Sequence, residues 1–173
     1  MSNSGASSTT DEDIGQKLLT TWSRCQSFPL AGQFGKALGK RVFSRVLGTI
    51  IPYTGSIGAQ VEHLEPGHAV ILLPDKRRVR NHLNSVHAIA LANLAELSTG
   101  LAMISGLQPG VRAILVGLNV SYEKKARGTL RAECHCVVPK SIDRQEVAVE
   151  TQIMNEDGDV VTRATATWLI GSK

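Results

Sequence analysis

The stretch Arg80-Asn81-His82-Leu83-Asn84-Ser85-Val86-His87, running on into Ala88-Ile89-Ala90-Leu91-Ala92-Asn93-Leu94-Ala95-Glu96, decides how the chain is read. A short basic and polar loop ends in a histidine, and an almost unbroken apolar run then leads to a single carboxylate. From Ala88 to Ile104 the sequence is rich in Ala and Leu, which predicts a helix. Apolar residues surround most of its circumference, the mark of a buried helix. Asn93, Glu96 and Gly100 fall at helical spacing and make one narrow polar or small stripe. A carboxylate in such a place is costly unless it is paired or hydrogen-bonded. Glu96 therefore needs an explanation.

Working outward, the period changes to two on either side of this helix. After Pro52, the residues Ile57, Ala59, Val61 and His63 alternate with Ser56, Gly58, Gln60 and Glu62, and Glu65-Pro66-Gly67 supplies a turn. His68 to Leu73 reads as a second strand that stops at Pro74. Beyond the helix, which Gly106 and Pro109-Gly110 close, come four strand-like segments. Ile114, Val116, Leu118, Val120 and Tyr122 mark one face of the first; Leu130, Ala132, Cys134, Cys136 and Val138 mark the second. Val147, Val149, Thr151 and Ile153 mark the third, and Val160, Thr162, Ala164, Ala166 and Trp168 the fourth. Asn155-Glu156-Asp157-Gly158-Asp159 joins the last two as a hairpin turn. Two strands, a long buried helix and four strands predict an α+β domain, its bent antiparallel sheet wrapped around the helix.

Ahead of that domain, Asp11 or Asp13 caps a predicted helix from Ile14 to Cys25, and Phe28-Pro29 breaks it. A second amphipathic helix is expected from Leu30 to Leu47, with Gly48 as its C-cap. The resulting organisation is a disordered tail at 1–11, an N-terminal helical extension at 12–48 and the α+β domain at 49–173.

Composition bounds the function. The chain has 173 residues and a net charge of +4, which permits an anionic ligand without requiring nucleic acid. Aromatic residues are only 4% of the chain, which leaves little for base-stacking platforms. Three cysteines are an odd count and favour a reducing compartment. Cys134-x-Cys136 reads as a pair of small core residues on one strand face; no second pair sits at zinc-like spacing, so no metal site is expected. No apolar run spans a membrane without polar interruption, and Asp11-Glu12-Asp13 argues against a transit peptide. A soluble cytoplasmic protein with no nucleic-acid partner is the expectation.

The order of elements resembles the hotdog fold, and residues 81–96 resemble the signature of its small-molecule thioesterase branch, the group related to phenylacetyl-coenzyme A thioesterases. In that branch an asparagine precedes by six residues a histidine that opens the helix, and an acidic residue follows nine positions later in a Leu-Ala-Asp or Leu-Ala-Glu context. Here Asn81, His87 and Leu94-Ala95-Glu96 stand at those spacings. The wording around them also resembles a subgroup found in fungi and bacteria. The resemblance covers about residues 50 to 170. Two departures stand out: Ala88-Ile89 replaces the usual pair of glycines, and Arg112 occupies about the place of a Ser or Thr near the start of the next strand.

The resemblance implies hydrolysis of an acyl-coenzyme A or acyl-carrier thioester at a homodimer interface, or in a dimer of dimers, with coenzyme A as part of the substrate and no cofactor. Glu96 is the only acid on the predicted helix, and is assigned as general base or nucleophile. The backbone N–H near Ala88 polarises the carbonyl with help from the helix dipole. Asn81 positions the water or the thioester, and His87 orders the loop or donates a hydrogen bond. Arg77, Arg78 and Arg80, with Asn93 and Arg112, are the candidate substrate-binding residues, the arginines attracting the phosphates of coenzyme A. For each residue a structural reading stands beside this one: a salt bridge for Glu96, a helix cap for His87, an ordinary turn for Asn81, a solvated face for the arginines. The alternative function is a non-catalytic hotdog module that binds an acyl or coenzyme A ligand or a protein partner.

Overall fold

A computed structural model describes residues 14–27 and 33–172. The expected tail at 1–11, the Asp11 or Asp13 cap, and the Phe28-Pro29 break with the start at Leu30 lie outside the described residues. Three helices, α1 (Ile14–Gln26), α2 (Gln33–Ile50) and α3 (Pro52–Ile57), lead into the hairpin β1 (Gln60–Glu65) and β2 (His68–Leu73). A single 3-10 turn at Arg77–Val79 precedes the long helix α4 (Ala88–Ser105). Four strands follow: β3 (Val111–Tyr122), β4 (Leu130–His135), β5 (Gln145–Met154) and β6 (Val160–Ser172). All pair antiparallel in one six-stranded sheet of order β1-β2-β4-β5-β6-β3. The fold is the hotdog fold that the element order predicts.

The core lies between the sheet and α4. Leu94, Ala95, Ala102 and Met103 of α4 are fully buried, as are Ala69, Ile71 and Leu73 of β2, Leu130, Ala132 and Cys134 of β4, and Ile153 of β5. Along α4 the apolar residues go nearly all the way round, so the helix is long and apolar enough to cross a membrane; its burial against the sheet marks it as a core helix. Polar links cross this interface too, among them Ser105 Oγ donating to the Glu65 carbonyl at 3.0 Å. Ser98 Oγ and Thr151 Oγ1 lie 2.9 Å apart, and Thr151 donates to the Glu133 carbonyl at 3.0 Å.

Several expectations are corrected. Ile57 belongs to α3, not to β1, and Gly58 ends that helix with a left-handed φ of 68°. A proline at the first helical position and a glycine just past the end bracket this short helix. In β1, Glu62 is an extra residue: Val61 faces Ile71 but His63 faces Val70. That bulge turns His63 away from the face of Val61 and leaves Leu64 in the core at 3% exposure. A second bulge at Val116 interrupts β3, so Ile114 and Val116 are exposed while Leu118 and Val120 pack inward. Gly48 does not end α2, which runs on to Ile50; a Cβ at Gly55 would lie 2.3 Å from the Gly48 carbonyl oxygen, so the two glycines let α2 and α3 meet.

Candidate active site

The loop from Asn81 to His87 is held by its own first residue. Asn81 Oδ1 accepts from the backbone N–H groups of Leu83 at 2.9 Å and Ser85 at 3.2 Å, and the Asn81 N–H donates to the Ser85 carbonyl at 2.8 Å. Asn84 takes the left-handed conformation this tight loop needs, with φ of 53°. The loop's far end is then fixed: the Val86 N–H donates to the Ala126 carbonyl and the His87 N–H to the Val79 carbonyl, each at 2.8 Å. The Asn81 side chain is thus a turn residue through its oxygen, and its amide group is what remains for a ligand.

His87 is the N-cap of α4. Its Nδ1 accepts from the Ile89 N–H at 3.1 Å, which makes Nε2 the N–H-bearing nitrogen of the neutral ring and points the one free donor outward. Because His87 takes the Ile89 N–H, the Ala88 N–H is the one at this helix start that no described group accepts from. The Ala88 carbonyl, by contrast, accepts from the Tyr122 hydroxyl at 3.0 Å, which ties the end of β3 to the start of α4.

A shallow cleft of about 220 Å3 opens beside this helix start, lined by Tyr53 and Ser56 of α3, by Arg78 and Arg80, and by His87 and Ile89. Sequence reasoning missed α3 as a wall of this cleft, although the Pro52–Gly58 bracket was the signal for it. The arginines divide. Arg80 Nε pairs with Asp75 Oδ1 at 2.7 Å, and Asp75 also accepts from the Gly128 N–H at 3.2 Å, so Arg80 is committed to shaping the loop. Arg78 lays its guanidinium over Gly58, where a Cβ would lie 1.8 Å from one of its terminal nitrogens. Arg77 is exposed on the 3-10 turn.

Further along α4, Glu96 is partly buried, and burial holds its carboxyl above the usual carboxylate range. Among the described residues its carboxylate has neither an ion pair nor a hydrogen bond. The structural salt bridge, including one to Arg112, is therefore not made within the described residues. Asn93, one turn earlier, is buried; its amide lies 3.5 Å from the Tyr53 carbonyl and its Oδ1 is buried without a partner. Gly100, one turn later, is packed against Trp168, whose ring would lie 3.0 Å from a Cβ there. Arg112 stands exposed near the start of β3, opposite Gly171.

Two chemical elements of a thioester site thus sit on one helix, but far apart. Eight residues of helix separate Ala88 from Glu96, about 12 Å along the axis. A thioester carbonyl and its attacking water need both within about 3 Å of the reacting atoms. Along one helix the backbones of Ala88 and Glu96 are thus more than two turns apart.

The fold and this helix define a hotdog protein. Within that fold the chain belongs to the family described as a domain of unknown function, DUF4442, which it matches over residues 39–170. It is 31% identical over 109 residues to the putative esterase VNG_1336C of Halobacterium salinarum, across 60% of this chain and 72% of that protein. The solved structure of the structural-genomics target APC5556 superposes with a TM-score of 0.69 at 30% identity, covering 89% of this chain and 99% of the other. PA5026 of Pseudomonas aeruginosa, called a probable thioesterase, gives a TM-score of 0.69 at 24% identity over 75% of this chain and 93% of its own, which speaks to the fold.

Proposed function

We propose that this protein hydrolyses acyl thioesters, with coenzyme A or an acyl carrier as the thiol, at a site shared between two copies of the chain. The observation that carries the reading is Glu96: an unpaired carboxylate on the central helix with its basicity raised by burial. Such a group suits the removal of a proton from water near neutral pH. In the mechanism, the Glu96 carboxylate takes a proton from a water as the water oxygen attacks the thioester carbon, or it attacks that carbon itself and forms a mixed anhydride that a water then hydrolyses to the free acid and Glu96. The Ala88 N–H of the second copy, at the positive end of its helix, holds the oxygen on which negative charge develops. Collapse expels the thiolate, which takes up a proton. His87 keeps the helix start in register through Nδ1, and its Nε2 N–H is a further donor toward the carbonyl or leaving group.

The shape of β3 supports the pairing of copies. It is an edge strand of 12 residues, with Ile114 and Val116 half exposed, and long apolar edges invite a further strand. Because Tyr122 binds Ala88, α4 starts where β3 ends. Antiparallel pairing of two β3 strands would lay two α4 helices side by side in opposite directions. Each helix start then faces the part of the other beyond its first turns, where Glu96 lies, and Arg112 comes toward the partner's cleft. There Arg77, Arg78 and Arg112 serve the phosphates of the thiol carrier.

The test is release of free thiol from a panel of acyl-coenzyme A esters, beside the Glu96→Gln protein. Turnover that vanishes in a folded Glu96→Gln variant supports the reading. A folded wild-type protein inactive on every ester, yet retaining coenzyme A, would favour a binding module instead.

A further inference from the structure

The outer face of the sheet carries a cluster of histidines and carboxylates that the hydrolytic site does not use. Cross-strand pairing places Glu65, His68 and His135 in one row over β1, β2 and β4, and His63, Val70 and Glu133 in the next. Five of these six positions are His or Glu. His63 and Glu65, two apart on β1, share one face, and the bulge at Glu62 turns that face outward; in an unbroken strand both would share the buried face of Val61. Bulges that re-aim one side chain recur beside functional sites.

The geometry within the cluster suits a cation. His63 Nε2 lies 3.4 Å and His68 Nδ1 3.3 Å from the same oxygen, Glu65 Oε1. Ligands at about 2.0–2.1 Å from a tetrahedral zinc ion stand about 3.3–3.4 Å apart. His63 Nε2 is moreover buried and without a hydrogen-bond partner, although the remainder of its ring is open to solvent. On its other side, His68 Nε2 lies 3.0 Å from Glu133 Oε1, and Arg131 holds Glu133 in turn. A carboxylate behind a ligating imidazole is the usual way its tautomer and ring plane are fixed. The ring of His135 stacks on His68, centroids 3.7 Å apart.

A second grouping, His68, Glu133 and His135, also brings its ligand atoms together. Arg131 decides between the two. Its guanidinium already neutralises Glu133, so a cation there would meet a fixed positive charge, whereas Glu65 has only the two histidines as partners among the described residues. We propose that His63 Nε2, His68 Nδ1 and a Glu65 carboxylate oxygen bind one divalent transition-metal ion of the zinc type. Water completes the fourth position, and Glu133 acts as the orienting carboxylate. The ion would clip β1 to β2 across the Pro66-Gly67 turn, on the face of the sheet opposite α4. Sequence spacing hid this site because an unbroken period of two puts His63 and Glu65 on the buried face of Val61, and only the bulge at Glu62 turns them to the outer face.

The test uses the full chain freed of any affinity tag and stripped of metal, titrated with Co2+ and followed by visible absorption and calorimetry. The proposal expects one Co2+ per chain with a tetrahedral spectrum, displaced by Zn2+, and a rise in Tm with Zn2+. Binding should be lost in His63→Gln and His68→Gln, weakened roughly 10–100-fold in Glu133→Gln, and kept in His135→Gln. Should a histidine variant fail to fold, Glu65→Gln at an exposed position carries the same expectation of loss. No binding by the wild-type chain, binding that survives both His63→Gln and Glu65→Gln, or loss in His135→Gln would overturn it. None of these readings depends on thioesterase activity.

Discussion

In the proposed mechanism Glu96 and His87 carry the chemistry, and each makes a separable prediction. Burial raises the Glu96 pKa in the folded chain, so its base form appears only as pH climbs above the usual carboxylate range. The rate should rise through that raised value, and Glu96→Gln should cost roughly a hundredfold to ten-thousandfold in kcat. The sign for stability is opposite. A group whose folded pKa is raised favours folding when protonated and loses that contribution as pH rises through the folded value. Glu96→Gln should therefore have a higher Tm than wild type at mildly alkaline pH and a matching Tm in acid; a lower Tm at both would mean that Glu96 is a structural residue. For His87, replacement by Ala removes the cap at a cost of about 0.5–2 kcal/mol, while His87→Asn restores the cap without the outward N–H. If stability returns in His87→Asn and activity does not, the Nε2 donor contributes to turnover; if both return, His87 serves only as the cap. The spacing of Asn81, His87 and Glu96 was legible in the sequence. That Asn81 folds its oxygen back onto Leu83 and Ser85 was not, because a turn residue and a ligand-holding residue use the same side chain.

Among the elements, α4 was readable to within one residue at its end, since an Ala/Leu run begins after a capping histidine and ends at glycine. The strands β2 and β5 were equally plain, β2 as an apolar run that stops at Pro74 and β5 because its alternation holds throughout; in β6 the alternation holds from Thr162 onward. Where a bulge inserts one residue, at Glu62, Val116 and Val161, the period-two pattern continues in the sequence while the faces exchange in space, so that Val161 and not Val160 is buried at the start of β6. No single-strand pattern reveals that, so His63 was placed on the wrong face and Ile114 and Val116 on the same face as Leu118. The crossing of α1 and α2 makes a further prediction. A Cβ at Gly39 would lie 1.7 Å from the Cys25 carbonyl oxygen, so Gly39→Ala should destabilise by about 1–3 kcal/mol. Thermal unfolding checks this, at about 2–4 °C per kcal/mol for a chain of this size. If copies pair through β3 as proposed, Val116→Lys places a charge on that apolar strand and should shift the protein from dimer to monomer in sedimentation, with loss of turnover and little change in far-UV circular dichroism.

For the molecule as a whole, the proposed mechanism turns on the eight residues, about 12 Å of axial rise, between the backbones of Ala88 and Glu96 on α4. A linear sequence shows both groups but not that one chain leaves them apart, so the site is legible in its parts and not in its assembly. The measurement that tests this most directly mixes two inactive variants. Ala88→Pro deletes the N–H at a helix position that accepts proline, and the extended conformation of His87, with ψ of 140°, suits a residue before proline. Glu96→Gln deletes the base. Each variant alone should fail to release thiol from the best acyl-coenzyme A ester. Unfolded and refolded together in equal amounts, they should regain about a quarter of wild-type activity, since half the dimers would carry one intact site. If the mixture stays inactive although the two chains have demonstrably paired, the site does not combine Ala88 of one copy with Glu96 of the other, and the shared-site account is wrong.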